Sequence, residues 1–271
     1  MKKHHPAKPQ KRDPKALKTA KEKRQQEVML YGKNAVRAAF KHRPGGIIRA
    51  YVTDEAKKEF GDLLKWCAKN KLAYHLVSTK ELESISSTVH HEGVALLTKR
   101  KPEISEAQLF SRQYVPESGP CLLLYFEGVG NPHNIGAIIR TCANFGVRAV
   151  VGSAESLPVL SAAAMRTAEG AVEIVEQVRV QDRARFFAEC HKHGFKVVGT
   201  VCHSGKSLFK TKFAQRVVLV LGAELHGMDQ ASQRACDELL SIPSTGEIDS
   251  LSVGVAAGIF IAEFARQNPI L

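Results

Sequence analysis

Four near-continuous apolar runs in the second half of the chain constrain the fold more than any other feature. They are CLLLYFE (Cys121–Glu127), VRAVVG (147–152), FKVVGTV (195–201) and RVVLVLG (Arg216–Gly222). Runs of this kind are typical of strands buried on both faces, as in a parallel sheet. Segments with helical periodicity lie between them, at 135–145, 182–193 and 228–238. Alternating strands and helices predict a parallel α/β domain over residues 119–271.

A smaller α/β unit is predicted for residues 28–100. Its pattern indicates strands at 47–53, 73–77 and 93–99, and helices at 34–40 and 57–69. Ser78 and Glu81 have the spacing of a capping box, which predicts that another helix begins there. Residues 101–118 lose this periodicity and contain Pro102 and Pro116, so we interpret them as a linker with at most one helical turn.

The positive charge is concentrated at the N-terminus. The net charge is +12, and residues 1–27 hold ten Lys and Arg against three acids. This stretch also contains three prolines and little apolar material, so we expect a disordered basic arm. Such an arm attracts polyanions, which makes nucleic acid the favoured class of partner. The alternative is a tail that only improves solubility, since charge alone carries no specificity.

Several classes of protein are not supported by the sequence. No apolar run approaches the roughly 18 residues that a membrane span needs, and the basic N-terminus lacks the apolar core of a secretory signal. The six cysteines form no CxxC pair, so we expect reduced thiols in a cytoplasmic protein. The pairs His90–His91 and His191/His193 have no further ligand at metal-site spacing, and no metal is expected.

Common nucleotide-binding motifs also fail. GVGNPHNIG follows a predicted strand, but the dinucleotide fingerprint requires glycine where His133 stands. Gly205-Lys206-Ser207 resembles the end of a phosphate-binding loop, but its first glycine is replaced by Thr200. Neither a nicotinamide dinucleotide nor ATP is therefore expected.

Three segments, each a strand followed by a loop rich in glycine, asparagine or proline, are candidates for chemistry. In the first, FEGVGNPHNIGAIIRTCANFGV, we predict that Asn134 caps a helix. Arg140 lies off the apolar stripe of that helix, and its small neighbours Gly136, Ala137 and Ala143 leave clearance for the guanidinium to grip a phosphate or a sugar. The alternative is a solvated arginine on an ordinary surface helix.

The second segment, LVLGAELHGM, places Gly222, Glu224 and Gly227 after a strand, where two glycines let a ligand approach the backbone. The third, LLSIPSTGEIDSLSVGVAAGI, leaves a short strand at Ile242-Pro243 and enters a helix over 253–264 that is apolar nearly all round. Such a helix must be covered, either by a second subunit or by the domain itself.

In this order, the motifs NxGxxxR, GxExxG and IPxxG…SLxVxVAAGI resemble those of the SPOUT-class RNA ribose 2′-O-methyltransferases, in the TrmH/SpoU branch. The resemblance covers residues 119–271. Residues 30–99 resemble the ribosomal-protein-like substrate-binding domain that precedes the catalytic domain in many members. The resemblance implies a C-terminal trefoil knot, a homodimer formed through the C-terminal domain, an RNA substrate (rRNA or tRNA) and S-adenosylmethionine as cofactor.

The resemblance also implies roles for residues at the matching positions. Those expected at the catalytic centre are Asn134, Arg140, Glu224 and Ser250. Those expected to hold the cofactor are Gly222, Gly227, Ile242, Leu251 and Ala256.

Two positions depart from the family pattern: Ser252 stands where members usually have Asn, and Gly254 where they have Ser. We expect a methyltransferase acting on a ribose 2′-hydroxyl of structured RNA. The alternative is a dimeric RNA-binding protein of the same fold with weak or no transferase activity, because the third motif is altered.

Overall fold

A computed structural model describes residues 26–224 and 226–269, which form two sheets and the helices that cover them. The predicted basic arm lies outside the described residues, apart from its last two. The strands are β1 (Glu27–Tyr31), β2 (Ile47–Val52), β3 (Ala73–Leu76), β4 (Val94–Lys99), β5 (Cys121–Glu127), β6 (Ala149–Ser153), β7 (Glu176–Val180), β8 (Lys196–Thr200), β9 (Lys206–Ser207), β10 (Arg216–Gly222) and β11 (Glu238–Ser241). The α-helices are α1 (Lys33–His42), α2 (Gly61–Lys69), α3 (Thr79–Ser86), α4 (Glu106–Leu109), α5 (Pro132–Asn144), α6 (Ala162–Thr167), α7 (Arg183–Lys192), α8 (Gln230–Ala235) and α9 (Val253–Gln267).

The first sheet has the strand order β1-β4-β2-β3, antiparallel except for the β2–β3 pair. Side chains alternate between its two faces. One face packs under α1 and α2 through residues such as Ala50, Val52 and Leu96. On the other face α3 contributes Leu82, which packs against Tyr31 and Ala95.

Predictions for this unit are confirmed at the strands and corrected at one helix. The capping box at Ser78 is present, because Glu81 N donates to Ser78 Oγ and Ser78 N donates to the Glu81 carboxylate at 2.7 Å. The helix predicted over 57–69 begins only at Gly61, since residues 54–60 form turns. Strand β1 was not predicted.

The second sheet has seven strands in the order β7-β6-β5-β10-β8-β11-β9, and every strand pair is parallel. This confirms the parallel α/β domain. Strands β5 and β10 lie side by side near its centre, with Glu127 opposite Gly222 at their carboxyl ends. Both strands are buried almost throughout, because helices cover both faces of the sheet.

The helix predicted over 228–238 is wrong in its last residues. Helix α8 ends at Ala235, and the chain then enters β11, which pairs with β8. The stretch 101–118 contains the short helix α4 and buries Leu109 and Val115 against the second sheet.

Helix α9 confirms the predicted apolar C-terminal helix and extends it to Gln267. Its inner face, with Ala257, Phe260, Ile261 and Phe264, is buried in the core, while Val255 is 52% exposed. The domain therefore covers one side of this helix and leaves the other open. The trefoil knot stays a prediction.

The two sheets share one continuous hydrophobic core, which joins residues of α1 and β4 to residues of β5 and α5. Ion pairs reinforce the junction. Arg43 of the first unit pairs with Glu173 at 3.0 Å, and Arg166 of α6 pairs with Glu92 at 2.6 Å. Among the residues that the structure describes, no helix is both long and apolar enough to cross a membrane.

Candidate functional site

The three loops that follow β5, β10 and β11 lie at the carboxyl edge of the seven-stranded sheet. These loops cover residues 128–131, 223–224 with 226–229, and 242–252. Because all seven strands are parallel, their carboxyl ends share one edge, which is where open α/β sheets bind ligands. Each loop corresponds to one of the three motifs.

The second loop is a tight hairpin. Ala223 N donates to Gly227 O at 3.1 Å, and Gly227 N donates to Ala223 O at 2.8 Å. A Cβ placed on Gly222 would lie 2.5 Å from the backbone of Gly227 and Met228. Gly222 is therefore needed for the chain to fold back on itself, and its contact with a ligand stays a prediction. Gly227 has φ +65° and open space beside its Cα, so its backbone is accessible, and its contact with a ligand stays a prediction.

The first motif helix, α5, begins with a different cap from the predicted one. Asn131 is the N-cap and accepts from His133 N at 2.9 Å, with Pro132 in the first turn. Asn134 is freed from capping and instead donates through Nδ2 to Glu224 Oε1 of the second loop at 2.5 Å. The prediction that Asn134 caps the helix is wrong, but its side chain connects two of the three motifs.

The third motif meets the same asparagine. Ser252 caps α9 by accepting from Val255 N, and Gly254 lies in the first turn. A Cβ placed on Gly254 would lie 3.1 Å from Asn134 Oδ1. The first and second loops are also close, since a Cβ on Gly128 would lie 3.0 Å from the Ala223 Cβ. Asn134 is thus the point at which all three motif segments meet.

Arg140 does not join this cluster within one chain. It is exposed on α5 and makes no hydrogen bond or ion pair within residues 26–224 and 226–269. Six residues separate it from Asn134, which corresponds to about 9 Å of rise and a different face of the helix. The clearance predicted around Arg140 does not come from Gly136, which packs against Ala164 O and Thr167 of α6.

The remaining predicted residues line the edge with unequal exposure. Ser250 is exposed and Leu251 is 41% exposed at the end of the third loop. Ile242 is half-buried and packs against the core, and Ala256 is half-buried in the first turn of α9. Leu251 thus exposes apolar surface, whereas Ile242 has a packing role in the core.

A polar network that the sequence pattern did not predict lies beside the edge. Arg183, at the start of α7, donates to Glu127 Oε1 at 2.9 Å and lies 3.7 Å from Asp229, the cap of α8. Ser232 also hydrogen-bonds to Glu127. Hydrogen bonds from the Ser232 backbone and side chain hold the pKa of Asp229 below its ordinary value. The one available signal was an acidic residue, Glu127, ending a buried strand.

Glu127 Oε2 is buried without a hydrogen-bond partner among the described residues. The network joins the end of β5 to α8, which directly follows the second loop. It therefore fixes the position of that loop from the side opposite α5.

Cys236 lies between α8 and β11 and is half-buried. Burial raises the pKa of the Cys236 thiol to about 12, so it is not a thiolate nucleophile at neutral pH. In the part of the chain that the structure describes, no three His, Cys, Asp or Glu side chains are grouped so that they could hold a metal ion.

Comparison with protein families gives two matches. A model described as the SpoU rRNA Methylase family matches residues 121–262. A model described as RNA 2′-O ribose methyltransferase substrate binding matches residues 29–103. Together they cover both sheets.

Two relatives illustrate the similarity. The chain is 37% identical to the uncharacterized tRNA/rRNA methyltransferase YfiF of Escherichia coli O157:H7, over 94% of this chain and 72% of that protein. It is 34% identical to the 23S rRNA (guanosine-2′-O-)-methyltransferase RlmB of Pasteurella multocida, over 88% of this chain and 98% of that protein.

Solved structures share the fold. The SpoU methyltransferase AviRb from Streptomyces viridochromogenes, crystallised with AdoMet, superposes with a TM-score of 0.73 at 22% identity, over 91% of this chain and 92% of that one. An AdoMet-bound rRNA methyltransferase from Sinorhizobium meliloti superposes with a TM-score of 0.74 at 21% identity, over 93% and 91% of the two chains.

Proposed function

The chain belongs to the SpoU rRNA methylase family, and we propose that it transfers a methyl group from S-adenosylmethionine to a ribose 2′-hydroxyl of structured RNA. The observation that carries this proposal is the meeting of the three motif segments at Asn134, through the 2.5 Å bond to Glu224 and the close approach of Gly254. The substrate class is rRNA or tRNA, since one relative is named a tRNA/rRNA methyltransferase and another a 23S rRNA methyltransferase.

The residues at the edge fit the proposed cofactor. Gly227 offers open backbone, Leu251 offers an exposed apolar side chain for the adenine, and Ile242 and Ala256 add half-buried apolar surface. When bound, S-adenosylmethionine supplies an electrophilic methyl group. Gly222 contributes indirectly, because it allows the hairpin that carries Glu224 and Gly227.

The protein's own residues bind and orient the ribose. Asn134 and Glu224 fix each other's side chains, and the second carboxylate oxygen of Glu224 and the exposed Ser250 hydroxyl serve as polar contacts for the ribose. Arg140 holds a phosphate or the ribose itself as a fixed cation. A guanidinium does not lose its proton in proteins, so Arg140 is not the general base.

We place Arg140 in the site of a second copy of the chain, within a homodimer formed through the C-terminal domain. Two observations support this arrangement: Arg140 and Asn134 occupy different faces of α5, and α9 leaves small and apolar residues uncovered. Val255 is 52% exposed, Ala262 is exposed, and a side chain on Gly258 would meet nothing within 4 Å. Apolar surface of this kind is typical of subunit interfaces.

Methyl transfer with Arg140→Ala tests the assignment. Tritiated methyl incorporation into rRNA and tRNA is measured for the wild type and the variant at matched RNA and cofactor concentrations. We expect incorporation to fall about 100-fold, since misplacement of a reacting group by about 1 Å has an effect of that size. Equal incorporation by both proteins would remove Arg140 from the mechanism.

The altered third motif supports the second candidate function, a dimeric RNA-binding protein with little or no transferase activity. Ser252 still caps α9, as Asn would, whereas Gly254 leaves Asn134 without a side-chain neighbour at that position. Ser252→Asn, alone and with Gly254→Ser, decides between the candidates. Transfer that is present only in the altered proteins favours the binding function, and transfer by the wild type favours the enzyme.

A further inference from the structure

One half of the first sheet presents an uncovered face. Residues of β2 and β3 that point away from α1 and α2 include Arg49, Tyr51 and His75, with Leu97 of β4 beside them. We call these four the open face. Arg49 and His75 are exposed, while Tyr51 and Leu97 are half-buried. Strand β3 is the edge strand of the sheet, and all four of its residues are exposed.

The open face exists because the covering helix reaches only half of the sheet. Helix α3 contacts β1 and β4 and buries Tyr31 and Ala95 there. Along the same row, Tyr51 stands opposite Ala95 and His75 stands opposite Tyr51. The row therefore passes from a buried end under α3 to an exposed end at His75.

The exposed end of the row carries two rings in contact. The rings of Tyr51 and His75 stack with centroids 5.4 Å apart and planes inclined by 20°. Arg49 lies beside them and donates to the Tyr51 hydroxyl at 3.4 Å. Two adjacent rings with a neighbouring guanidinium are suited to a planar base that carries a phosphate.

The charge on strands β2 and β3 is positive, while α3 beside them carries Glu81 and Glu83 as well as Lys80. Strands β2 and β3 contain no acidic residue, and Lys71 and Lys80 stand just before and just after β3. Arg49, Lys71 and Lys80 make no ion pair with any residue that the structure describes. By contrast, Arg37 on the α1 side of the sheet is paired with Glu59.

We propose that the open face binds unpaired nucleotides of the RNA substrate, with a base on the rings of Tyr51 and His75 and a phosphate held by Arg49. The proposal rests on the proposed function, because it takes the substrate to be RNA. It assigns to the first sheet the recognition of single-stranded RNA, such as a loop or bulge, which can present a base to an aromatic ring.

The test compares variants within one strand pair. Fluorescence anisotropy measures binding of a single-stranded oligoribonucleotide, and of a hairpin of matched length, to the full-length protein at several salt concentrations. His75→Ala and Tyr51→Ala should each weaken single-strand binding about tenfold, the effect of losing one stacked base, with little change in salt dependence. Arg49→Ala should weaken binding and also lower the salt slope by about one.

Tyr74→Ala is the matched control. Tyr74 is 43% exposed on the same strand as His75, but it points to the opposite face, since it pairs with the buried Ala50. We expect this variant to bind RNA like the wild type. His75→Ala also guards against misfolding, because His75 is exposed whereas Tyr51 borders the core under α3.

The proposal is overturned if His75→Ala and Arg49→Ala bind single-stranded RNA as tightly as Tyr74→Ala. A loss of self-association by light scattering, with RNA affinity unchanged, would likewise overturn it and identify the face as a protein contact.

Calorimetry with S-adenosylmethionine separates this proposal from the proposed function. If the protein binds the cofactor but the open-face variants bind RNA like the wild type, only the open-face proposal is rejected. If the wild type neither binds nor uses the cofactor, the proposed methyltransferase function is rejected.

Discussion

The two sheets differ in how completely the protein covers them. The seven-stranded sheet has helices on both faces, and its central strands β5 and β10 are buried almost from end to end. The four-stranded sheet leaves β3 and the open face uncovered. A sheet that is buried on both faces is accessible to a ligand only at the ends of its strands. A half-covered sheet also leaves part of one face accessible to a ligand.

This difference separates the two tasks of the proposed enzyme. At the edge of the larger sheet, positions are fixed by close backbone approaches, as at Gly222 and Gly254, so changes there should act on turnover. On the open face, contacts come from exposed rings and cations, so changes there should act on RNA affinity. Three predictions probe this contrast and the junction that joins the two sheets.

Arg43→Met, at the junction of the two sheets, should have the largest effect, a loss of folding stability. Arg43 pairs with Glu173, whose side chain is only 6% exposed, and also donates to Lys99 O at 2.7 Å. Removal of the cation leaves the carboxylate buried without its partner, which should lower the free energy of unfolding by about 3 kcal/mol. Urea denaturation followed by fluorescence and circular dichroism measures the change.

The junction prediction has an internal control. Arg37→Met removes a cation that is 53% exposed and should cost less than about 1 kcal/mol, as exposed pairs do. Since one core runs through both sheets, Arg43→Met should shift a single transition. Two separate transitions would show that the sheets unfold independently and that the ion pair, not the core, joins them.

Asn134→Ala, at the carboxyl edge of the larger sheet, should have the next largest effect, a loss of turnover. This change removes the bond to Glu224 and the contact point of the third motif, so we expect kcat to fall about 100-fold, or about 2.7 kcal/mol. RNA affinity should not change, in contrast to His75→Ala. Single-turnover methyl transfer and anisotropy measure the two quantities separately.

Asn131→Ala is the matched control for Asn134. It removes the N-cap of α5 and should cost about 1 kcal/mol of stability with nearly full turnover. If the two asparagine variants lose turnover equally, the edge depends on the integrity of the helix start and Asn134 has no separate role.

The contrast between the sheets also explains what the sequence could predict. Strands β5 and β10 were predicted to the residue, because strands buried on both faces need uninterrupted apolar runs. Strand β7, with the sequence EQVRV, and the outer strand β1 were missed, since polar residues interrupt their apolar pattern. Strand β11 is four residues long, and the helical pattern of α8 concealed it.

At the site, the sequence predicted the three loops but not how they meet. The sequence analysis predicted Asn134 as the cap of α5, but Asn131 is the cap, because proline is favoured at the first helical position, which Pro132 occupies. The contacts of Asn134 with Glu224 and Gly254 join residues 90 and 120 positions away, which no local pattern encodes. The same holds for the network of Glu127, Arg183 and Ser232.

Glu263→Gln, in the helix α9 that packs on the larger sheet, should have the smallest effect, a small loss of folding stability. Arg266 and Gln267 donate to the Glu263 carboxylate at 2.7 Å and lower its pKa from an ordinary 4.5 to about 2, while Gln267 also binds Thr211 O and Phe213 N. A lowered pKa stabilises the folded state above pH 4.5, and this stabilisation disappears as the pH falls toward 2. The variant should therefore be less stable by about 1 kcal/mol at pH 7, with the difference vanishing near pH 2 in urea melts. A difference that is independent of pH would mean that Glu263 acts through packing, and that the closure of the larger sheet by α9 owes nothing to charge.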